Sequence, residues 1–303
     1  MDEIDLKIIL LLMNNSRLTY REISDHLGLS VNAVFKRVQN LIDLRIIRKF
    51  TARLKPYAIN AIYVFIFGQS NVQNMDNAII ELGKHDNTWQ IILSSRNYMY
   101  IGSMLENIHQ LDDYTSFVSQ TVEFQSPKIG LLSGVQYTAP IRYIVPKSRS
   151  MNYDKLDLEI IRSLHNDSRK PISEIADDVN STANTIRRRL NRMIDEGIIE
   201  LSIDFNPEDS NDIFALFQIT LSPSADKNEV AKHLNEKYDP NLFYCWTFSN
   251  LPNLIVCWVW GNTMKELTEL VEKIKQENID SIVFDIMFKV YYYDTWKEKL
   301  LYK

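Results

Sequence analysis

The chain carries one pattern written twice. At an offset of 152 residues, and without a gap, Asp2, Asp5, Leu6, Ile8, Ile9, Leu12, Asn14, Ser16 and Arg17 return as Asp154, Asp157, Leu158, Ile160, Ile161, Leu164, Asn166, Ser168 and Arg169. Further along, Glu22, Ile23, Asp25, Asn32, Arg37, Ile42, Asp43, Ile46 and Ile47 return as Glu174, Ile175, Asp177, Asn184, Arg189, Ile194, Asp195, Ile198 and Ile199. Such a match means that whatever one half folds into, the other must fold into as well. The 303 residues thus divide into two copies of one plan. The junction falls near residues 144–152, where Val-Pro-Lys-Ser-Arg-Ser is polar, lacks apolar periodicity and contains the helix-breaking Pro146.

Helical periodicity organises the start of each copy. Ile4, Ile8, Leu11 and Leu12 share a face of a first helix that Asp2 can cap and that ends near Asn14 and Asn15. A second helix, about Thr19 to His26, turns at Leu27-Gly28-Leu29, and Ser30 caps a third helix with the inward stripe Val34, Val38, Leu41 and Ile42. A short helix, a tight turn and a longer helix make a helix-turn-helix. Residues Ile46 to Arg53 alternate enough to predict a two-stranded wing behind it. The second copy reads the same way through Asp154 to Asn166, Ile172 to Asp178 and a Thr182-capped helix carrying Ile186, Leu190, Met193 and Ile194 inward. Asn180 stands where the first copy has its turn glycine, a substitution open to Asn because it tolerates positive φ.

The longer segments alternate strands and helices. Strands are expected at Ala61 to Phe67, Thr88 to Leu93, Tyr98 to Met104 and Ile129 to Tyr137, with helices at Asn74 to Lys84 and Asn107 to Ser119. The second half repeats the order with strands at Ile213 to Leu221, Leu242 to Phe248, Asn253 to Trp260 and Ser281 to Tyr292, and helices at Lys227 to Tyr238 and Met264 to Glu277. Both read β-α-β-β-α-β, the ferredoxin-like arrangement of an antiparallel sheet with two helices on one face. The fold class is therefore α+β, with two winged helix-turn-helix domains (residues 1–55 and 153–205), each followed by a ferredoxin-like domain (56–145 and 206–303).

The Asp-x-x-Asp first helix, Arg17, the Glu-Ile-Ser pattern, Leu-Gly-Leu-Ser and Val-x-x-Arg-Val-x-x-Leu before Ile46-Ile47 together resemble the Lrp/AsnC family of bacterial and archaeal transcription regulators. The second copy is similar to it through Asp154, Asp157, Glu174-Ile175-Ala176, Thr182, Ile186-x-x-Arg189-Leu190 and Gly197-Ile198-Ile199. The resemblance implies a DNA-binding regulator whose ferredoxin-like domains dimerise and often sense amino acids; the acidic Met-Asp-Glu-Ile-Asp start, unlike a secretory signal, and the presence of only two cysteines lead to the expectation of a cytoplasmic protein. A tandem fusion departs from the usual single unit; it implies a pseudo-two-fold pair of halves within one chain, and further assembly into a homodimer with four modules. Family members commonly carry a Gly-x-Tyr/Phe-Asp turn near the effector. Here the corresponding turns read Ser95-Arg96-Asn97-Tyr98 and Ser249-Asn250-Leu251-Pro252-Asn253, so the resemblance stops short of an effector site.

Duplex recognition needs a helix face that offers hydrogen-bond groups to base edges, flanked by cations for phosphates. In the first module that face is Asn32, Phe35, Lys36, Gln39 and Asn40, with Ser30 and Arg37 toward the phosphate track. In the second it is Asn184, Thr185, Arg187, Arg188, Asn191 and Arg192, opened by Thr182. Arg187 to Arg189 cannot all share one helix face, so at least one is expected to hold the module together through a carboxylate. Arg17 and Arg169 fit either a phosphate contact or a helix-end ion pair.

Charge divides unevenly along the repeat. The whole chain carries −5, which taken alone argues against a nucleic-acid partner. Residues 1–55 hold 10 Lys plus Arg against 6 Asp plus Glu, or +4, whereas residues 153–205 hold 8 against 11, or −3. Arg48, Lys49 and Arg53 place cations on the first wing, while the second reads Glu200-Leu201-Ser202-Ile203-Asp204. The first module is accordingly expected to supply most of the phosphate affinity.

Other chemistries find less support. Siroheme decarboxylases share this plan but carry a His beside Tyr and Arg on the active strand. Here the strands read Leu242-Phe243-Tyr244-Cys245-Trp246-Thr247-Phe248 and Trp89-Gln90-Ile91-Ile92-Leu93, without histidine. The five histidines are scattered, the eight glycines form no phosphate loop, and Cys245 and Cys257 lack zinc-site spacing. No cofactor or metal is expected, and a non-enzymatic role is favoured over a tetrapyrrole enzyme or an adaptor with vestigial DNA-binding modules. No apolar run approaches the ~20 residues that span a bilayer, so no membrane partner is expected. The aromatic-rich strands of the second half fit sheet packing or an apolar pocket, packing being favoured, and the two cysteines read as buried small hydrophobes.

Overall fold

The computed structural model describes residues 1–137 and 152–302, so the junction, apart from Asn152, lies outside the described residues. The first half runs α1 (Glu3–Asn14), α2 (Tyr20–Leu27), α3 (Val31–Asp43), β1 (Ile47–Leu54), β2 (Ile62–Gln69), α4 (Met75–Lys84), β3 (Thr88–Ser94), β4 (Tyr98–Leu105), α5 (Leu111–Thr121) and β5 (Lys128–Tyr137). The second runs α6 (Lys155–Leu164), α7 (Ile172–Asp178), α8 (Ala183–Asp195), β6 (Ile199–Phe205), β7 (Ile213–Leu221), α9 (Lys227–Lys237), β8 (Leu242–Phe248), β9 (Leu254–Gly261), α10 (Met264–Ile274) and β10 (Ile279–Tyr292). The same elements occur in the same order, as the repeat requires.

These elements sort into two compact units, and each unit draws on both halves. One comprises Met1–Asn60 and the described residues of Pro140–Ser210 and Trp296–Lys303; the other comprises the described residues of Ala61–Ala139 together with Asn211–Thr295.

In the first unit, local chemistry sets the helices. Asp2 accepts the Asp5 amide at 2.9 Å and Asp5 returns the bond to the Asp2 amide at 3.1 Å; Asp154 and Asp157 repeat this capping box. Ser30 and Thr182 accept the amides of Ala33 and Thr185, starting α3 and α8. Gly28 turns the chain at φ 66°, and Asn180 does the same at φ 48°. Val34, Val38 and Leu41 are buried along α3, as are Ile186, Leu190 and Met193 along α8.

The wing differs from the sequence expectation. Each module has one strand rather than a hairpin, and the two strands pair with each other, β1 antiparallel to β6, from Ile47 opposite Phe205 to Leu54 opposite Ile199. The cause lies just beyond Leu54, where Lys55 leads into a short 3-10 turn at Pro56–Ile59 and the chain passes on to β2 instead of returning beside β1. A lone strand leaves its ladder groups unmade, and the corresponding strand of the other module satisfies them. The cores interlock as a result. Ala52 and Leu54 of β1 pack with Ile160, Ile161, Leu164, Ile186 and Leu190 of the second module.

In the second unit each half keeps the ferredoxin-like strand order, β3-β4-β2-β5 and β8-β9-β7-β10. The sheets do not end there. β5 pairs with β8 and β10 with β3, closing all eight strands into a barrel in which no sheet edge is left open. The helices α4 and α5 cover one core, built on Val64, Ile66, Ile91 and Ile101; α9 and α10 cover the other, built on Ala215, Phe217, Ile255 and Val259. The alternate residues turn inward. There the aromatic side chains pack on one another: Phe65 stacks on Trp246 with ring centres 4.2 Å apart, and Phe67 on Tyr100 at 5.4 Å. Cys245 and Cys257 stand opposite each other on β8 and β9, buried beneath α9 and α10, and burial pushes the Cys245 thiol well above its ordinary range.

Candidate nucleic-acid interface

On α3, Asn32, Phe35, Lys36, Gln39 and Asn40 are exposed. On α8, Asn184, Arg187, Arg188 and Asn191 are exposed. Eight of these form four matched pairs of the repeat with the spacing of one helix face: Asn32 with Asn184, Phe35 with Arg187, Lys36 with Arg188, Gln39 with Asn191. Phe35 remains 45% exposed although its ring meets that of Tyr20 edge-on at 5.5 Å. Among the described residues Lys36, Arg187 and Arg188 form no ion pair, so their charge is available to a ligand. Ser30 and Thr182, both exposed, spend their hydroxyl oxygens on caps, and Thr185 is half-buried beside Thr182.

Several cations that sequence places on the phosphate track are engaged elsewhere. Arg37 lies 2.8 Å from Asp2 and 2.7 Å from Asp5. Its counterpart Arg189 lies 2.7 Å from Asp154 and 3.0 Å from Asp157, which is the carboxylate-bound arginine expected among the three. Arg192 also binds Asp157 and donates to the Asn152 carbonyl at 3.1 Å. Hydrogen bonding to the Arg189 guanidinium holds the Asp154 carboxyl below the ordinary carboxylate range. Asp2 is also lowered: burial works against this, and the Asp5 amide and Arg37 outweigh it.

The wing cations are corrected on the same ground. Arg53 reaches Asp204 at 2.8 Å, with both side chains about one-fifth exposed, and Arg48 reaches Glu208 at 2.8 Å and Asp209 at 3.6 Å. The acidic second wing therefore neutralises the basic first one instead of repelling a duplex beside it. Lys49, half-buried and opposite Asp204 in the ladder, makes no ion pair among the described residues.

Arg17 and Arg169 take neither role suggested by sequence. Arg17 donates to the carbonyls of Ser168 and Lys170 at 2.7 and 2.9 Å. Arg169 answers with bonds to the carbonyls of Ser16 and Leu18 at 2.7 and 3.2 Å, and its guanidinium lies 4.2 Å from the Phe50 ring centre. Between them the buried hydroxyls of Ser16 and Ser168 meet at 2.6 Å. The signal available in sequence was the recurrence of the Ser-Arg pair; its reciprocity needed the fold.

Elsewhere the turn Ser95–Asn97 has positive φ at both Arg96 and Asn97. Arg96 binds the fully buried Asp285 of β10 at 2.5 Å, and Tyr100 donates to the same carboxylate at 3.1 Å. No described helix is long and apolar enough to cross a membrane, and no cluster of three or more metal-ligating side chains occurs among the described residues.

Two capped helix-turn-helix modules, each with an exposed polar helix face and joined through a shared two-stranded sheet, define a winged helix-turn-helix protein. The family model described as "Winged helix-turn-helix DNA-binding" matches residues 1–48 and again 153–200. A helix-turn-helix-type transcriptional regulator of Pyrococcus furiosus is 33% identical over 106 residues, 35% of this chain and 72% of that protein. The helix-turn-helix-type transcriptional regulator FL11 of Pyrococcus horikoshii is 27% identical over 120 residues, 39% of this chain and 80% of that protein. The chain belongs to the Lrp/AsnC family of transcription regulators, and DNA is the partner that membership implies. Over its whole length the fold is similar to that of the siroheme decarboxylase NirDL, with a TM-score of 0.62 and 99% of this chain and 97% of that chain covered. At 10% identity that likeness concerns the fold alone.

Proposed function

We propose that this regulator binds double-stranded DNA as a pair of unlike heads within one chain, α3 and α8 each entering a major groove. What supports this is the exposed face at positions 32, 35, 36 and 39, repeated at 184, 187, 188 and 191 with different side chains. Asn and Gln pair with adenine, Arg and Lys with guanine, and an apolar ring contacts a thymine methyl. The half-site under α8, with Arg187 and Arg188, is therefore richer in G, and the half-site under α3, with Phe35 and Gln39, richer in A and T. The operator is asymmetric, and the recognition helices carry more of the phosphate affinity than the wing. The halves act as a pair, each helix-turn-helix (1–55 and 153–205) followed by its own ferredoxin-like segment (56–145 and 206–303). Association of two chains would present four modules.

The role is regulatory and not enzymatic. Neither β3 nor β8 carries a histidine, and the ring of His165 meets the Ala52 carbonyl of the shared sheet at 3.1 Å. Selection of bound duplexes from a random-sequence pool tests the proposal. The expected product is two dissimilar half-sites at fixed spacing. A palindrome would remove the two-head reading, and no enrichment at low salt would favour an adaptor with vestigial modules.

A further inference from the structure

The two modules carry opposite net charges, and the β1–β6 register shows where the difference acts. We infer that this charge pattern is a pairing code that lets a basic β1 join only an acidic β6, whether of the same chain or of a second copy, and bars like modules from joining. The inference rests on the pairing of halves proposed above.

The repeat permits the alternatives to be built on the same register. In the observed pair Arg53 stands opposite Glu200 and bonds Asp204, while Arg48 bonds Glu208. Glu200 is the repeat counterpart of Arg48, so a β1 joined to a second β1 would set Arg53 opposite Arg48, and by symmetry would do so twice. Like charges directly opposite in a ladder are destabilising. For β6 joined to a second β6, Glu200 would take the place of Arg48 beside Glu208 and Asp209, again twice. Only the unlike pair brings cations to carboxylates. The counterparts of Asp204 and Glu208 in the first half are Ala52 and Pro56, so the unlike pair creates no compensating repulsion. The packing is as unlike as the charge: Ala52 and Leu54 are buried in the core of the second module.

A charge-exchange cycle on the full chain tests the code. Arg48→Glu with Arg53→Glu is expected to lower the melting temperature by about 3–6 °C, and adding Asp204→Arg with Glu208→Arg in the same chain to restore most of it. Mixing the acidic-β1 variant with the basic-β6 variant is expected to yield a heterodimer by native mass spectrometry that neither forms alone. An unchanged melting temperature, or loss without rescue and without heterodimer, overturns the code. The pairing itself is read separately from a disulfide between Thr51→Cys and Ser202→Cys, which are opposite in the register. Its formation within one chain beside a silent charge cycle rejects the code alone; its absence rejects the pairing and the code together.

Discussion

The two helix-turn-helix modules agree where a side chain caps or closes its own module and where it joins the reciprocal Ser-Arg clasp, and they differ along the wing strand and over most of the outward helix face. The capping aspartates, the arginine that binds them and the buried stripe of the third helix occupy matching positions in both. The outward face of that helix differs, with Phe35 and Lys36 in one and Arg187 and Arg188 in the other, and so does the strand behind it, basic in β1 and acidic in β6. The duplication keeps the interactions that close each module together with the reciprocal Ser-Arg clasp between them, and diverges along the wing strand and over most of the outward helix face. Part of the difference between the +4 and −3 modules is taken up in the Arg53–Asp204 ion pair across β1 and β6.

The sharpest test of this contrast removes the exposed cations of each head in turn. Arg187→Ala with Arg188→Ala is expected to weaken duplex binding about 100-fold at physiological salt, and Lys36→Ala about 10-fold, with the slope of log K against log salt falling by about two and about one. Fluorescence anisotropy across a salt series measures both; equal losses would erase the ranking of the heads. The arginine clasp comes next. Arg169→Ala is expected to cost about 2 kcal/mol and Arg17→Ala somewhat less, because Arg169 also covers the Phe50 ring. Chemical denaturation reads the difference, and a negligible cost for both would remove the clasp as a joint.

Acid separates the capping arginines. Asp154 and Asp2 are held below their ordinary range, so the stability they add is present above about pH 4 and is lost as pH falls through their depressed values. Arg189→Ala is expected to flatten this acid limb more than Arg37→Ala, since the hydrogen bond from Arg189 is the largest influence on Asp154, whereas at Asp2 the largest is burial, which acts the other way. Unfolding midpoints between pH 5 and 3 check it. The smallest effects belong to a matched pair of turns. Gly197 and its repeat counterpart Arg45 both have positive φ, at 70° and 59°. Gly197→Ala is expected to cost about 1 kcal/mol, and Arg45→Gly to change stability by less than about 0.5 kcal/mol, strain relief offsetting unfolded-chain entropy.

Much of the local structure was legible in the residues alone. Asp2, Ser30, Asp154 and Thr182 mark helix starts because a cap needs only residues three positions apart. Asn180 was readable as a turn residue, and both β-α-β-β-α-β orders come from periodicity. The candidate site was half legible. Helical spacing identified the outward face of α3 and α8, but not that Arg37, Arg192, Arg48 and Arg53 are bound by carboxylates, of which Asp5, Asp157, Glu208 and Asp204 lie 32 to 160 residues away. A charge seen in sequence carries no statement of what neutralises it.

By itself the sequence determined that the chain is a duplicated helix-turn-helix and ferredoxin-like plan, because caps, turns and apolar stripes act within a few residues. Only the tertiary structure decided how the copies divide their labour. The wing strand of one copy completes that of the other, four sheet edges close into one barrel, and Ser16, Arg17, Ser168 and Arg169 form a single joint. The physical reason is common to all three: an unpaired strand, an open sheet edge and a half-buried guanidinium each require a partner, and the repeat places that partner a half-chain away.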